Sequence, residues 1–227
     1  MWFDIMEKAK SHREMLIIAS ILVVLVVVIL VGSYFVQNPV RRLYPGEVRE
    51  YMGENLSSLS DLQDNAIRGT QDLNHSSYRL TVSGLVFNQK EYTYDQVLNN
   101  FQDYEKVVTL YCVQGWNTKI LWQGVLVRDL LDSSGVNSTA KVVIFHAADG
   151  YTTALPVSYF YDHDILLAFK MNGLVIPTEK GFPFELVAES KYGYKWIKWI
   201  TVIELSDNES FLGFWESRGY PNSADVP

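Results

Sequence analysis

The chain contains 227 residues, of which 48% are hydrophobic, and it carries a formal net charge of -7. This length accommodates one membrane anchor and one domain of ordinary size with its own core. The acidic balance argues against a nucleic-acid partner, because nucleic-acid-binding domains need a basic surface to neutralise phosphates. A single cysteine excludes an intrachain disulfide and leaves the redox compartment open. Fourteen Tyr and six Trp favour a β-rich domain packed through aromatic side chains.

An apolar run at residues 15–36 contains no charged side chain. At about 1.5 Å of rise per residue, a helix of this length spans a hydrocarbon core of ~30 Å. We therefore predict a short N-terminal tail at residues 1–14 and one transmembrane helix at residues 15–36, so that the chain is a single-pass protein of the cell membrane. A cleaved signal peptide is disfavoured, because the run ends in bulky Tyr34 and Phe35 rather than in small residues.

Charge does not decide the orientation of this predicted anchor. Three basic residues precede the helix and three follow it closely, which leaves the positive-inside rule tied. Four N-glycosylation sequons lie in the remainder of the chain, at Asn55, Asn74, Asn137 and Asn208. They favour an extracytoplasmic domain with the N-terminus inside.

Residues 37–77 are polar and contain Pro and Gly, which is typical of a linker and an irregular lead-in. The domain proper is assigned to residues 78–227. Its first half has alternating apolar residues and a helix-capping Thr93, which predict two strands and two short helices. These are a strand at 78–87 that turns at Gly84, a helix at 93–101, a strand at 106–113, and a helix at 124–131 that ends near Gly135.

Turn-forming residues divide the second half of the domain. A hairpin is predicted at 141–156, with its turn at Asp149–Gly150. Residues 164–171 fit either a short helix or a strand, and the turn pair Asn172–Gly173 follows them. Two further strands are predicted within 184–205, on either side of a turn at Tyr192–Tyr194.

Cys112 stands at the end of an apolar strand and before a polar turn. A thiol at a strand end is held rigidly and can present its sulfur to a cavity, as a soft-metal ligand requires. By itself this segment favours the simpler interpretation, a small buried side chain without chemistry. His146 is interpreted as a hydrogen-bonded wall residue, since no second His stands at metal-ligand spacing. Asp162–Asp164 is interpreted as a solvated turn, because adjacent side chains point in different directions.

Lys195 and Lys198 lie on opposite faces if residues 194–205 are extended. Two lysines on aromatic strands beside a glycine turn can grip a phosphate. The alternative, which the residues alone favour, is that both reach solvent from a sheet face along their aliphatic stems. No glycine-rich nucleotide loop and no HExxH, CxxC or GxSxG motif occurs, so the usual nucleotide, zinc and serine-hydrolase functions lack support.

Eight segments follow one another in an order and spacing typical of a known family. They are Tyr78–Gly84, Leu110–Trp116, Leu121–Leu131, Asp149–Tyr151, Leu167–Gly173, Gly181–Pro183, Lys191–Trp199 and Gly213–Tyr220. Together they resemble the molybdopterin-binding oxidoreductase family of sulfite oxidase and the bacterial periplasmic methionine-sulfoxide reductase catalytic subunit. The resemblance implies an α+β, mostly β, sulfite-oxidase-type molybdopterin-binding fold, which the predicted transmembrane helix precedes.

The resemblance also implies site residues. The cysteine that matches Cys112 supplies the protein thiolate to molybdenum in that family, which makes Cys112 the metal ligand and the catalytic residue. A thiolate favours a soft, redox-active metal and is deprotonated once bound. Molybdopterin with molybdenum, or with tungsten, is then the expected cofactor. Residues at positions that contact it are Trp196, Ile197 and Lys198 and, in an upstream segment, Asn65, Arg68 and Gly69.

Three further cofactor-site positions depart from the family pattern. Glu185 stands where the family usually has Arg, Lys180 where it has His or Asn, and Ala147 where the reductase branch has a hydroxyl residue. A carboxylate beside a phosphate replaces attraction by repulsion. Our hypothesis is that Lys180 restores the missing positive charge, so that Lys180 and Glu185 form a rearranged anchor. The arginine-rich pocket of sulfite oxidases is not visible in the sequence, which argues against sulfite as substrate.

The resemblance implies a membrane-anchored oxidoreductase that transfers an oxygen atom to or from a small substrate. The sequence contains no haem-binding pair and no iron–sulfur cysteine set, so electrons are expected to pass through a separate carrier protein or a quinone pathway. The alternative is a catalytically inactive extracytoplasmic binding or assembly module of the same fold. The departures at Glu185, Lys180 and Ala147 favour this alternative, whereas the retained Cys112 opposes it.

Overall fold

The computed structural model describes Met15, residues 17–31 and residues 42–227. The chain divides into two units, residues 1–42 and residues 43–227. In the first unit, residues 17–31 are helical (α1). The predicted tail at 1–14 lies outside the described residues, as do residues 16 and 32–36 of the predicted membrane span.

The predicted single-pass membrane anchor is contradicted by the structure. Among the described residues, no helix combines the length and the apolar character needed to cross a membrane. The predicted location of the chain in the cell membrane is therefore wrong.

The second unit is mixed α+β and mostly sheet, as predicted. Its strands are β1 (Glu50–Tyr51), β2 (Glu54–Asn55), β3 (Leu80–Gly84), β4 (Lys90–Tyr92), β5 (Asp103–Tyr111), β6 (Asn117–Leu126), β7 (Val142–Ala147), β8 (Thr152–Pro156), β9 (Leu166–Met171), β10 (Leu174–Val175), β11 (Glu185–Val187) and β12 (Ile200–Ser206). Its α-helices are α2 (Tyr94–Asn100), α3 (Val127–Ser134) and α4 (Val157–Asp162). Short 3-10 turns occupy Leu59–Asp61, Thr178–Lys180, Gly193–Lys195 and Glu216–Arg218.

Within residues 42–227 these strands form two five-stranded sheets and a small hairpin. One sheet has the order β4-β3-β12-β7-β8, and its β3 and β12 are parallel while its other pairs are antiparallel. The other sheet has the order β10-β9-β6-β5, and β11 also pairs with β9. Aromatic and aliphatic side chains of both sheets and of the helices pack into one large core. Burial of this apolar surface is the main stabilising contribution to the unit.

Local sequence signals explain several of these elements. The Thr93 side chain accepts the backbone N–H of Gln96, and the Gln96 side chain accepts the backbone N–H of Thr93. This reciprocal cap starts α2 at the predicted place. The predicted hairpin is also confirmed, because β7 pairs with β8 across Asp149–Gly150. The segment that fits helix or strand is a strand, β9, and it turns into β10 through Asn172–Gly173, both with positive φ.

The predicted helix at 124–131 begins later than expected. Residues 117–126 continue as β6, and the helix α3 occupies Val127–Ser134 before Gly135. Gly124 reflects strand packing rather than a helix start, since a Cβ atom there would lie 2.3 Å from the Leu167 carbonyl oxygen of β9. A glycine inside a strand marks such a close backbone approach.

The second of the two strands predicted within 184–205 also starts later than expected. Gly193–Lys195 forms a 3-10 turn, and β12 starts only at Ile200. Between them Trp199 has a φ of 54°, which breaks an extended path. Lys195 and Lys198 therefore do not alternate across a sheet, and each has its own environment.

Candidate cofactor site

A cavity of about 290 Å³ opens among segments from most of the second unit. Its wall is mainly aromatic and polar, and it includes one thiol, two lysines and two acidic side chains. The lining residues are Leu62, Gln63, Asn65, Ala66, Ile67, Leu110, Cys112, Val113, Gln114, Trp116, Asp149, Tyr151, Lys180, Glu185, Gly193, Tyr194, Trp196, Ile197, Lys198, Trp199, Trp215 and Tyr220. Seven of the ten predicted site residues are thus brought together: Asn65, Cys112, Lys180, Glu185, Trp196, Ile197 and Lys198.

Cys112 follows the last residue of β5, in the loop that connects β5 to β6. Its backbone N–H donates to the Trp116 carbonyl over 2.9 Å, and its own carbonyl accepts the N–H of Gly115 over 3.0 Å. These bonds fix the loop, while the thiol is free, half-buried and 3.9 Å from Gln114 Oε1. The 3-10 turn at Gly193–Lys195 lies against it, since a Cβ at Gly193 would be 3.9 Å from the Cys112 Cα. The structure thus gives Cys112 the rigid strand-end position that the sequence predicts.

Trp196 and Ile197 form a rigid part of the wall. The indole N–H of Trp196 donates to the Lys191 carbonyl over 2.9 Å, and its ring lies 5.7 Å from the ring of Trp122. The Ile197 carbonyl accepts the N–H of Leu186 over 3.0 Å, which ties this segment to β11. Both side chains are buried, so their positions are held by the surrounding core.

Lys180 anchors the upstream segment to the cavity. Its ammonium pairs with Asp64 Oδ1 over 2.6 Å and also donates to the Leu62 carbonyl. The side chain is only 3% exposed, so its charge needs these partners. Asn65 follows directly and reaches the cavity wall. Lys180 therefore positions the segment that carries Asn65, in addition to placing a positive charge beside the cavity.

Lys198 and Glu185 share the same region of the cavity. The Lys198 ammonium lies 4.4 Å from the Trp199 ring centroid and 3.4 Å from the Glu179 carbonyl. Burial lowers the pKa of Lys198, against the attraction of Glu185. Glu185 is 2% exposed, and its Oε2 atom has no hydrogen-bond partner among the described residues. Burial raises the pKa of Glu185 to about 8, although Lys198 and Lys180 oppose this rise.

Three predicted site residues lie outside the cavity wall. Arg68 and Gly69 are exposed, and the Arg68 guanidinium lies against the turn at Gly150, where an added Cβ would be 3.6 Å from Arg68 Cζ. Ala147 is buried at the end of β7 and donates its N–H to the Tyr151 carbonyl. The structure does not bring these three into contact with the cavity.

Several lining residues are not predicted from the sequence as site residues. Asp149 is buried and accepts the N–H groups of Tyr151 over 2.9 Å and Ile67 over 3.3 Å, so it joins the hairpin turn to the upstream segment. The Tyr151 hydroxyl donates to the Tyr194 carbonyl over 2.6 Å, and burial raises its pKa. Trp215 and Tyr220 complete the wall. All of these residues except Ile67 lie in segments that resemble the family. The resemblance is therefore the sequence signal that could have identified them.

Lys195 does not line the cavity. It is fully buried and donates to Glu216 Oε1 over 2.5 Å, so it is a structural residue rather than a phosphate ligand. His146 Nε2 lies 2.8 Å from Glu204 Oε2, which confirms that it is hydrogen-bonded, but His146 does not line the cavity. In the part of the chain that the structure describes, no three His, Cys, Asp or Glu side chains cluster as a metal site.

Lys180 provides a test of how the wall is held. Replacing Lys180 with Met is expected to lower the free energy of unfolding by about 1–3 kcal/mol, because Asp64 and the Leu62 carbonyl lose their buried donor. Amide hydrogen exchange at residues 62–67 is expected to accelerate more than elsewhere. Lys170→Met is the matched control, since Lys170 forms no ion pair within the described residues. Unchanged exchange at 62–67 would show that Lys180 does not hold this segment.

In this mostly β domain a thiol shares a cavity with two lysines and an aromatic wall, and these groups suit an anionic organic cofactor that carries a soft metal. A family model described as the oxidoreductase molybdopterin binding domain matches residues 67–215. The chain belongs to this family, and molybdopterin is its cofactor.

Relatives of known sequence agree with this assignment. An uncharacterized oxidoreductase, YuiH of Bacillus subtilis (strain 168), is 36% identical over 151 residues, which are 66% of this chain and 75% of the relative. A putative protein-methionine-sulfoxide reductase subunit, YedZ1 of Azospira oryzae, is 32% identical over 66% of this chain and 56% of its own length. The NADH nitrate reductase of Solanum lycopersicum is 27% identical over 66% of this chain and 20% of its own length.

A solved structure has the same fold. The sulfane dehydrogenase SoxCD from Paracoccus pantotrophus superposes with a TM-score of 0.63 over 77% of this chain and 52% of that chain, at 21% identity. At this identity the similarity concerns the fold alone. It agrees with the α+β, mostly sheet architecture of residues 43–227.

Proposed function

We propose that this chain catalyses oxygen-atom transfer to or from a small substrate at a molybdenum centre whose protein ligand is Cys112. The observation that carries the proposal is the position of Cys112, the only thiol of the chain, in the wall of the same cavity as Trp196 and Lys198. A thiolate is a suitable ligand for a soft, redox-active metal. The same cavity offers cationic groups for the anionic end of a cofactor.

The lining residues fit molybdopterin by their chemistry. When bound, the cofactor supplies the two-electron chemistry, while the protein binds and orients it. Cys112 would hold the metal as a thiolate from its rigid loop, and Trp196 with Ile197 would form the wall against the ring system. Lys198 would face the phosphate. Trp116 and Trp215, also in the wall, would exclude water from the reacting region, which strengthens electrostatic interactions there.

A separate electron carrier, either a protein or a quinone pathway, belongs to the same proposal. The sequence has a single cysteine, which cannot ligate an iron–sulfur cluster. The name of the Azospira relative describes a subunit, which supports a partner for this chain also. The substrate is proposed only as a small molecule.

Elemental analysis tests this function directly. The full chain is produced in a host that makes molybdopterin, and molybdenum, tungsten and oxidised pterin are measured per chain. We expect close to one metal and one pterin per chain. A chain with neither, while a known molybdenum enzyme from the same host is loaded, would overturn the proposal and favour the inactive binding module.

A further inference from the structure

Glu185 is a buried carboxyl group, one oxygen of which has no hydrogen-bond partner among the described residues. It is the first residue of β11, where it pairs with Ala168 of β9, and it is 2% exposed. Within the part of the chain that the structure describes, nothing bonds to this Oε2 atom, yet the side chain lines the cavity. An ionised carboxylate in this position would carry a desolvation cost of several kcal/mol. The geometry therefore requires either a neutral acid, a ligand that bonds to it, or both.

The charged groups around Glu185 do not remove this cost. Lys198 and Lys180 both attract it, from the loop after Gly193–Lys195 and from the Thr178–Lys180 turn. Lys180 is already paired with Asp64, and Asp149 acts on Lys198 from the β7–β8 turn. On the β9 side, the residue opposite Glu185 is the apolar Ala168. Burial outweighs these attractions and raises the pKa of Glu185 to about 8, so the neutral acid predominates at pH 7.

We propose that Glu185 binds the anionic end of the cofactor as a neutral carboxylic acid, which donates a hydrogen bond to the anion beside Lys198. This proposal rests on the proposed function and deepens it. A neutral acid that bonds to the anion avoids the cost of a buried charge and gives its O–H an acceptor. It also places no second negative charge beside the anion. Binding at alkaline pH then takes up one proton from solvent, which Glu185 keeps, and no covalent bond changes.

The sign of the pH dependence follows from this proton uptake. Below pH 8 Glu185 is already protonated, so binding of the anion needs no proton and is independent of this group. Above pH 8 the free site must first be protonated, so affinity falls by about tenfold for each further pH unit. Deprotonation of Lys198 lowers affinity in the same direction. A variant that removes only the carboxyl titration separates the two effects.

Sulfate is a suitable probe, because it is a tetrahedral dianion that does not titrate between about pH 6 and pH 9. It is added to the full chain without cofactor, and binding is followed by the fluorescence of the tryptophans in the cavity wall. Wild type, Glu185→Gln and the exposed control Glu209→Gln are compared across this range. The variant Lys198→Met tests whether sulfate binds beside Lys198, and it is expected to bind sulfate at least about tenfold more weakly at every pH.

We expect wild type and Glu185→Gln to bind sulfate equally at about pH 6. Between about pH 7 and pH 9 wild type should lose about tenfold more affinity than Glu185→Gln, and Glu209→Gln should follow wild type. Three results would overturn the proposal: coincident pH profiles, tighter binding by Glu185→Gln already at about pH 6, or no binding of sulfate by wild type. The metal and pterin content of the loaded chain is measured separately, so failure of the oxidoreductase proposal is distinguishable from failure of this one.

Discussion

Replacing Cys112 with Ser is expected to lower the affinity of the site for its metal by about 100-fold or more, while the fold is retained. A serine hydroxyl is a hard ligand that stays protonated near neutral pH, whereas the cysteine thiol becomes a thiolate on metal binding. Loss of an outer-sphere partner of a metal ligand already costs about 10- to 100-fold in metal affinity, and loss of the ligand itself costs more. Oxygen-atom transfer should fall in proportion.

The fold should tolerate this change. Cys112 is half-buried in a loop whose backbone bonds to Trp116 and Gly115 do not involve the thiol. The free energy of unfolding should change by less than about 1 kcal/mol. Val113→Ser alters the same loop and the same cavity wall without removing sulfur, so it is the matched control. If Cys112→Ser kept its metal, or if Val113→Ser lost as much, Cys112 would not be the ligand.

Interactions between near neighbours are predicted well from this sequence. The reciprocal cap of Thr93 and Gln96 spans three residues, and it places α2 correctly. The turn pairs Asp149–Gly150 and Asn172–Gly173 contain residues that tolerate a positive φ. The hairpin predicted across the first pair forms, and the turn predicted at the second pair joins β9 to β10. In each case the residues that decide the structure lie within a few positions of one another.

Elements that depend on distant partners are predicted less well. Gly124 is typical of a turn or a helix boundary by itself, but its role is a close approach to Leu167, on a strand that follows much later. Lys195 is similar to Lys198 in its local sequence, yet it is buried because Glu216 lies beside it. The alternation expected for an extended strand fails where Trp199 takes a positive φ. Tertiary packing decides these cases, and it has no local signal.

The cavity shows both situations. Cys112 and the segment from Gly193 meet because Tyr111 and Tyr192 form a parallel bridge between strand end and turn. The ordered family resemblance predicts that these residues belong to one site, whereas their spacing along the chain does not. For Arg68, Gly69 and Ala147 the same resemblance gives positions that lie outside the wall. The same resemblance shows that Glu185 stands where the family usually has Arg, and the burial of this carboxyl favours its neutral form.

Replacing Lys195 with Met is expected to cause a large loss of stability in the domain. The Lys195 ammonium donates to Glu216 Oε1 over 2.5 Å, to the Ala154 carbonyl over 2.9 Å and to Asn222 Oδ1 over 3.0 Å. Both charged side chains are 0% exposed. Thr153 also donates to Glu216 Oε1, over 2.8 Å. The substitution leaves an uncompensated buried carboxylate, which costs about 3–5 kcal/mol.

This cost corresponds to a fall in Tm of about 6–20 °C for a domain of this size, which calorimetry or circular dichroism would measure. The pair Lys191–Asp225, whose side chains are 14% and 65% exposed, gives the control, and Lys191→Met should cost less than Lys195→Met, because solvent reaches Asp225 after the substitution. Adding Glu216→Leu to Lys195→Met should recover most of the stability, since no unpaired charge then remains buried. Equal stability of Lys195→Met and Lys191→Met would show that the buried pair does not hold the C-terminal segment.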